Sequence, residues 1–523
     1  MDIATALRWT TARYPRRRAV GGPTSLTYAE WDVRTERTAH ALHSLGAGEG
    51  GRAIFLLAGG EPLATLHLAA QKAKVVSLPL SIRFSPDELA YCVNDCDPSL
   101  VVVDESTFAS MSRASEHLGA PPRVVWGGQP ENAPAGMASI HEAAQRSPAT
   151  PVPVAPTDDD ISVMLYTSGT TGRPKGVPRT HRAEHYAALA HLVQTGHRPG
   201  EVTLGVMPLF HTMGLRTLLA SVVAAGTWVP QAKFEAQATL ELLTTEKVGA
   251  LYLVPTIYWS LAETGRLAEA GSVRRLAYAG ASMTPTLAQH LADTLHPERF
   301  VNHFGSTEIY TFTIGPDAAT KPGCAGRAGI FSQVRLVDPN PAASPDLLVA
   351  PGEQGEVAVS LRSPEAFSGY LHRPDADRKA IRDGWYFTGD LATTDDDGDL
   401  WVSGRVDDMI NSGGENIYPE EIEHILATSP DLKEVVVIGT PDEKWGSVVT
   451  AFVVGAAGDS PAETMEKAER FARSESGLPS VKRPKRFVVV DHIPKSAVGK
   501  ILRRQLVEGE FTTLADSREG TPQ

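Results

Sequence analysis

The sequence predicts an α/β protein with a large N-terminal domain of two α/β subdomains plus a small β-barrel-like subdomain, followed by a small α+β C-terminal domain. Three observations lead there. Strand-like apolar runs alternate with helical patterns from residue 26 to about residue 310. Between about 325 and 404 the strands become short and are separated by Gly, Pro and Asp turns, the mark of a small all-β unit. After Gly404 the composition changes again, and two apolar strands, a helix and a third strand follow.

Residues 26 to 45 suit a helix that starts near Thr27, with apolar spacing through Trp31, Ala39 and Leu42. The stretch Gly46–Gly51 fits a G-x-G-x-x-G pattern, but a helix precedes it and the strand Ala53–Leu57 follows, the reverse of the dinucleotide-binding order. It reads as a helix C-cap and turn. Next come a strand at Val75–Pro79, a helix near Pro86–Asn94, and strands at Leu100–Val103 and Val124–Trp126. Residues 127 to 160, rich in Pro, Ala and Asp, read as a surface connection. A second α/β stretch has strands at Ile161–Tyr166, Leu204–Met207, Ala250–Val254 and Arg275–Ala279. In the C-terminal part, strands at Val435–Gly439, Val448–Val454 and Arg486–Asp491 surround a helix near Glu463–Ser474. The polar tail Thr512–Gln523 reads as a frayed end. There is no internal repeat.

A chain of 523 residues, 42% hydrophobic and 21% charged, is ordinary for a globular protein of several compact units. Net charge of −13 disfavours a general nucleic-acid or membrane surface. No run of about 18 apolar residues occurs, so no transmembrane helix is expected. The first residues lack the apolar core of a signal peptide. The three cysteines, Cys92, Cys96 and Cys324, make no disulfide framework and point to a reducing, cytoplasmic setting.

Tyr166–Val177 (YTSGTTGRPKGV) is the most informative segment. Its glycines allow backbone that turns successive N–H groups inward, and such a nest holds a polyphosphate. Thr167, Ser168, Gly169, Thr170, Thr171 and Gly172 supply hydroxyls and amides, and Lys175 adds a mobile positive charge. A Walker loop is excluded, because Gly-Lys-Ser/Thr does not open a helix here. A plain Ser/Gly linker is the bland alternative.

Four further segments carry chemistry. In Asn302–Glu308 (NHFGSTE), Phe304 suits stacking on a purine and Glu308 suits a magnesium ion; an ordinary turn with a solvated Glu is the competing reading. Gly384–Asp390 ends a strand on a carboxylate able to accept from both ribose hydroxyls, though a Gly-Asp turn is common. Gly404–Pro419 follows a strand, carries Arg405 for ligand oxygens, and has tandem Gly413 and Gly414 that permit close backbone approach. Ile493–Arg504 places Lys500 just after a glycine turn, where a solvated surface charge is the alternative.

These five segments, in this order, resemble the adenylate-forming superfamily of acyl- and aryl-CoA ligases, peptide-synthetase adenylation domains and luciferases. The likeness runs from about Ala6 to Val507. Within it, Gly205–Gly214, Gly404–Pro419, Val435–Gly439 with Lys444–Gly446, and Lys482–Arg486 resemble the benzoate-type CoA ligases, 4-chlorobenzoate ligases among them.

The resemblance implies a two-step reaction with ATP, Mg²⁺ and coenzyme A: a carboxylic acid becomes acyl-AMP with release of pyrophosphate, then the acyl group passes to the thiol. It implies that Thr167 to Lys175 wrap the β- and γ-phosphates, Phe304 and the turn Gly280, Ala281, Ser282 frame adenine together with Gly305, and Thr307 touches the α-phosphate. Glu308 would hold the metal, and Asp390 with Arg405 the ribose. Lys500 would bridge the carboxylate and the α-phosphate. The implied domains are 1–404, a hinge at 405–408 centred on Asp407, and a mobile C-terminal domain 409–523.

For coenzyme A it implies Gly413, Gly414, Trp445, Lys482 and Arg483; the cluster Lys482 to Arg486 can equally be a solvated charge run. Val481 stands where the chlorobenzoate enzymes have an aromatic that stacks on the CoA adenine. The implied acyl pocket includes Ala190, His211, Thr212, Met213, Tyr252, His303, Tyr310 and Thr311. His303 replaces an aliphatic and Ala190 a large aromatic, which points away from a halogenated acid toward a benzoate-like acid with a polar ring substituent; a core histidine satisfied by backbone is the alternative for His303. Competing functions are loading of a carrier-protein phosphopantetheine, a medium-chain fatty acyl-CoA ligase, and a non-catalytic nucleotide-binding protein. A monomer or homodimer is expected, with no nucleic-acid or membrane partner.

Overall fold

A computed structural model describes residues 1–167, 173–340, 343–412, 415–442, 445–456, 458–475, 478–480, 482–495 and 501–517. Two compact units emerge: Met1–Val334 with Val359–Tyr386, and Arg335–Ala358 with Phe387–Gln523.

The first unit is built on two large sheets. The six-stranded one runs in the order Arg123–Trp126, Leu100–Val103, Arg52–Leu56, Val76–Pro79, Ile161–Thr167, Lys175–Thr180. Its first five strands are parallel, and the sixth turns back antiparallel on the fifth. The Val-rich run Leu100–Val103 is buried at every residue, as a parallel strand covered on both faces should be. The nine-stranded sheet has Arg299–Phe304, Arg275–Ala279, Ala250–Leu253 and Val202–Gly205 side by side at its centre. Trp31, Trp228 and the helices Tyr28–Ser44, Glu61–Lys72 and Thr212–Val223 share one core.

Local chemistry fixes these helices where the sequence suggested. Thr27 and Glu30 form a reciprocal capping box at the start of Tyr28–Ser44. Ser85 and Glu88 do the same for Pro86–Cys96, with proline in the first turn. Helix Tyr28–Ser44 ends as expected just before the glycine-rich turn that leads into strand Arg52–Leu56. Cys92, Cys96 and Cys324 are buried, and burial pushes the Cys92 and Cys96 thiols up, so both act as small core hydrophobes.

The 127–160 connection is not wholly irregular. Ser139 caps a short helix, Ile140–Arg146, whose Ile140 is buried in the same core as Leu42. Expected strand Leu204–Met207 lies two residues earlier, at Val202–Gly205, because Pro208 and the following turn divert the chain after Met207.

In the second unit, residues 390–394 pair antiparallel with Leu400–Arg405 and set Asp390 opposite Arg405. A four-stranded sheet follows in the order Leu432–Asp442, Gly446–Gly455, Arg486–Val490, Thr513–Asp516. Helices Pro419–Leu426 and Pro461–Arg470 border its core, with Ile422, Leu426 and Ala468 buried against Val437, Val449 and Val489. The tail is therefore corrected in part: Thr513–Asp516 is an edge strand on Arg486–Val490, held there by an ion pair between Arg486 and Asp516. A four-residue edge strand flanked by polar residues looks much the same in sequence as a loose end.

Candidate active site

Two paired strands flank the hydroxyl-rich segment. Strand Ile161–Thr167 returns as Lys175–Thr180, with Thr167 directly opposite Lys175. The expected phosphate ligands Ser168, Gly169, Thr170, Thr171 and Gly172 lie outside the described residues. Lys175 is the first residue of the second strand, its Nζ 4.3 Å from the centre of the Tyr370 ring. The Tyr370 hydroxyl donates to Glu308 Oε1 at 2.7 Å, and Ser306 Oγ donates to Glu308 Oε2 at 2.7 Å. Tyr370 thus contacts both Lys175 and Glu308, the two charged groups singled out in separate motifs. Burial and the Glu308 charge push the Tyr370 phenol up, so it stays a neutral donor.

The Phe304–Tyr310 turn that presents Glu308 is held tightly. A Cβ at Gly305 would stand 2.1 Å from the Tyr310 carbonyl oxygen, so only glycine fits. Ser306 N donates to Ile309 O at 3.0 Å. Phe304 stands edge-on to Phe312 at 5.1 Å. Gly280, at φ +83°, turns the chain after strand Arg275–Ala279 and leaves Ala281 and Ser282 exposed.

Sequence reasoning missed the group that anchors this turn. Arg179, fully buried, donates from Nη1 to the carbonyls of Thr307, Glu308 and Glu365 at 3.0, 3.2 and 3.0 Å. Its Nε meets Glu184 at 2.5 Å, and its guanidinium lies 3.6 Å from the Tyr310 ring centre. The Tyr310 hydroxyl completes the set by donating to Glu184 at 3.2 Å. A planar, permanently charged fork is the side chain that can serve a carboxylate and several carbonyls together. The local pattern gave little signal, since strand Lys175–Thr180 (KGVPRT) also carries Lys175 and Thr180.

The expected acyl-pocket residues Ala190, Met213, Tyr252, His303, Tyr310 and Thr311 are all buried in the first unit. Ala190 is on helix His181–Thr195, and His211 caps helix Thr212–Val223 by accepting from Met213 N at 3.3 Å, with Thr212 its first residue. Tyr252 and His303 stand 5.1 Å apart, and His191, also unanticipated, is 5.0 Å from Tyr252 and 5.6 Å from His303. A second missed arginine, Arg216, is 1% exposed within the apolar helix Thr212–Val223. It donates to His303 Nδ1 at 2.9 Å and to Thr311 Oγ1 at 3.0 Å. Burial and the nearby Arg216 charge hold His303 neutral, its pKa well below the usual histidine range.

Within the second unit, Arg405 Nη1 meets Asp390 Oδ1 at 2.5 Å, joining the two expected ribose ligands. Asp407 is in the single-turn helix Val406–Asp408, directly before strand Ile410–Ser412, which pairs with Glu415–Ile417. Gly413, Gly414 and Lys500 lie outside the described residues. The basic cluster is largely engaged internally: Lys482 pairs with Glu421, Arg483 donates to Leu478 O at 2.8 Å, and Lys485 lies 3.6 Å over the Trp445 ring. Trp445 is exposed. An acidic trio at Asp395, Asp397 and Asp399 is a turn in which Asp395 Oδ1 accepts from both neighbours' backbone amides.

No helix among the described residues is long and apolar enough to cross a membrane. Comparison with known proteins agrees with the geometry. A feruloyl-CoA synthase from Amycolatopsis sp. is 34% identical over 93% of this chain and 94% of its own. The 3-hydroxybenzoate–CoA ligase of Aromatoleum sp. (strain CIB) is 32% identical over 94% of this chain and 92% of its own. The solved o-succinylbenzoate-CoA synthetase of Bacillus subtilis, in complex with its acyl-adenylate intermediate, superposes with a TM-score of 0.82 at 26% identity, covering 96% of this chain and 97% of that one. Residues 7–371 match the AMP-binding enzyme family and residues 421–500 match the AMP-binding enzyme C-terminal domain, and the chain belongs to this family of AMP-forming ligases.

Proposed function

We propose that the protein is an aryl acid–CoA ligase that works through an acyl-adenylate. The observation that supports the reading is the Arg179-anchored turn, whose Glu308 accepts from the Tyr370 hydroxyl while Lys175 faces the Tyr370 ring.

In the first step a carboxylate oxygen attacks the α-phosphorus of ATP, the bond to the β-phosphate bridging oxygen breaks, and pyrophosphate leaves. Lys175 and the amides of residues 167–172 receive the charge that builds on the leaving phosphates. Phe304 and the Gly280–Ser282 turn frame the adenine, and Thr307 donates to the α-phosphate. Asp390 accepts from the ribose hydroxyls, with Arg405 fixing its carboxylate. Glu308 offers a carboxylate already oriented by two hydroxyl donors, a hard oxygen site that fits Mg²⁺. When bound, that ion neutralises phosphate charge. Lys500 bridges the two reacting anions.

In the second step the CoA thiolate attacks the acyl carbonyl and AMP leaves. Residues 409–523 turn about Asp407 between the steps, so that Lys500 withdraws and the thiol enters. Gly413 and Gly414 give the pantetheine close backbone passage, while Trp445, Lys482 and Arg483 meet the nucleotide end. Buried rings at Tyr252, His303 and Tyr310 favour a flat aromatic acid over a long alkyl chain. The names of the relatives, a feruloyl-CoA synthase and a 3-hydroxybenzoate ligase, support that class. We place the reaction in the cytoplasm, where ATP and CoA are found and thiols stay reduced.

Incubation with an aromatic acid, ATP and CoA tests this. The expected products are AMP, pyrophosphate and an aryl-CoA thioester detected by mass. ADP in place of AMP contradicts adenylation, and AMP without thioester points to a carrier-protein acceptor.

A further inference from the structure

His303 has one ring nitrogen accounted for and one that is not. Nδ1 faces Arg216 Nη1 at 2.9 Å, and a guanidinium can only donate. Nδ1 is therefore the acceptor nitrogen and the ring proton is on Nε2. His303 is 2% exposed, and its Nε2 has no hydrogen-bond partner. An N–H donor is thus buried and unmet at the ring cluster of His191, Tyr252 and His303. His191 contributes a second unmet ring nitrogen, Nδ1, in the same cluster. Native proteins rarely leave such groups unpaired, because each forfeits its hydration with no bond in return.

Arg216 strengthens that donor. Its other amino group binds Thr311 Oγ1, so the guanidinium is fixed in place, with its carbon 5.2 Å from the Tyr310 ring centre. Among the described carboxylates its ion-pair partner is Glu365, at 3.8 Å. Arg179, in contrast, holds Glu184 at 2.5 Å. A cation on Nδ1 polarises the imidazole and makes Nε2–H a better donor to an electron-rich atom.

We infer that His303, positioned by Arg216, selects aromatic acids that carry an oxygen substituent on the ring, the oxygen accepting from His303 Nε2–H. A ring hydroxyl suits the cluster best, since it can also donate toward His191 Nδ1 where that nitrogen is unprotonated. A methyl group in the same place leaves the buried donor unmet. This inference rests on the acyl pocket proposed above and adds the substituent class that the pocket reads.

The test uses the full-length enzyme and pyrophosphate release with 3- and 4-hydroxybenzoate, 3- and 4-methoxybenzoate, and 3- and 4-methylbenzoate. For at least one ring position the hydroxy acid should exceed the methyl acid by about 10- to 100-fold in kcat/KM, the factor set by one unmet buried donor. His303→Leu should reverse the order, lowering turnover of the hydroxy acid and raising that of the methyl acid. His303→Gln, which keeps an N–H donor, should retain the preference. Arg216→Met should shrink the ratio, a change that general loss of folded enzyme does not produce. Equal or greater turnover of the methyl acids by the wild-type enzyme overturns the inference, as does a ratio unmoved in a folded His303→Leu. Release of no pyrophosphate with any acid strikes instead at the ligase reading.

Discussion

Replacing Arg179 by methionine isolates the claim that a buried arginine holds the catalytic turn. The change removes three hydrogen bonds to carbonyls, those of Thr307, Glu308 and Glu365, and the partner of Glu184. Both side chains of the Arg179–Glu184 pair are 0% exposed, so Glu184 would be left as an uncompensated buried charge. Loss of one member of such a pair costs about 3–5 kcal/mol, a larger effect than the hydrogen bonds alone. Trp31, Trp126 and Trp228 are fully buried in the same unit, so tryptophan fluorescence in a urea series reports its unfolding. The turn would also lose the clamp that fixes Thr307 and Glu308. Displacement of reacting groups by about 1 Å typically costs about 10²-fold in rate, which pyrophosphate release would register. Adding Glu184→Gln removes the stranded charge, and the double variant should recover much of the lost stability while activity stays low, because the carbonyls remain unanchored. A midpoint unchanged by Arg179→Met, with pyrophosphate release within threefold of wild type, would refute the reasoning.

Other expectations follow from single contacts. Gly305→Ala forces a Cβ to 2.1 Å from the Tyr310 carbonyl and should lower adenylation severely, with overpacking costing about 1–3 kcal/mol; a thermal melt and pyrophosphate assay both read this. Burial pushes Glu423 up from 4.5 to about 7, against the pull of Arg503. The folded state therefore holds a proton that the unfolded chain has released, and this contribution to stability, full below about 4.5, is lost as pH rises through about 7. Glu423→Gln should flatten that slope for the second unit in melts at pH 5 to 8, and an unchanged slope would assign it to other groups. Lys500→Ala should abolish acyl-AMP formation yet largely spare thioester formation from supplied acyl-AMP; equal loss of both half-reactions excludes the bridging role.

Elements with strong local signals were legible in the sequence. The strands Leu100–Val103 and Arg275–Ala279 have the expected bounds, and Thr27 and Ser85 start their helices because their caps are local chemistry. Ile140–Arg146 was missed because seven residues among Pro, Ala and Asp show little periodicity, and its formation depends on Ile140 finding the core. Strand Thr513–Asp516 was missed because its hydrogen bonds come from Arg486–Val490, a partner distant in sequence.

The site divides along the same line. Glu308 and Lys175 could be singled out because glycine turns surround them, and Asp390 and Arg405 because each closes a strand motif. Arg179, Arg216 and His191 carry no motif. Their significance comes from burial and from contacts that include partners distant in sequence, such as His303 for Arg216 and Thr307 for Arg179. Arg216 alone showed a local signal, as the one charged residue of the apolar helix Thr212–Val223; Arg179 shares its strand with Lys175.

The most direct measurement is inorganic pyrophosphate released from ATP by the purified protein in the presence of a panel of aromatic acids. Acid-dependent release in equal amount with AMP, continuing to an aryl-CoA when CoA is added, is the predicted result. Absence of pyrophosphate with every acid, or its replacement by ADP and phosphate, would contradict the account.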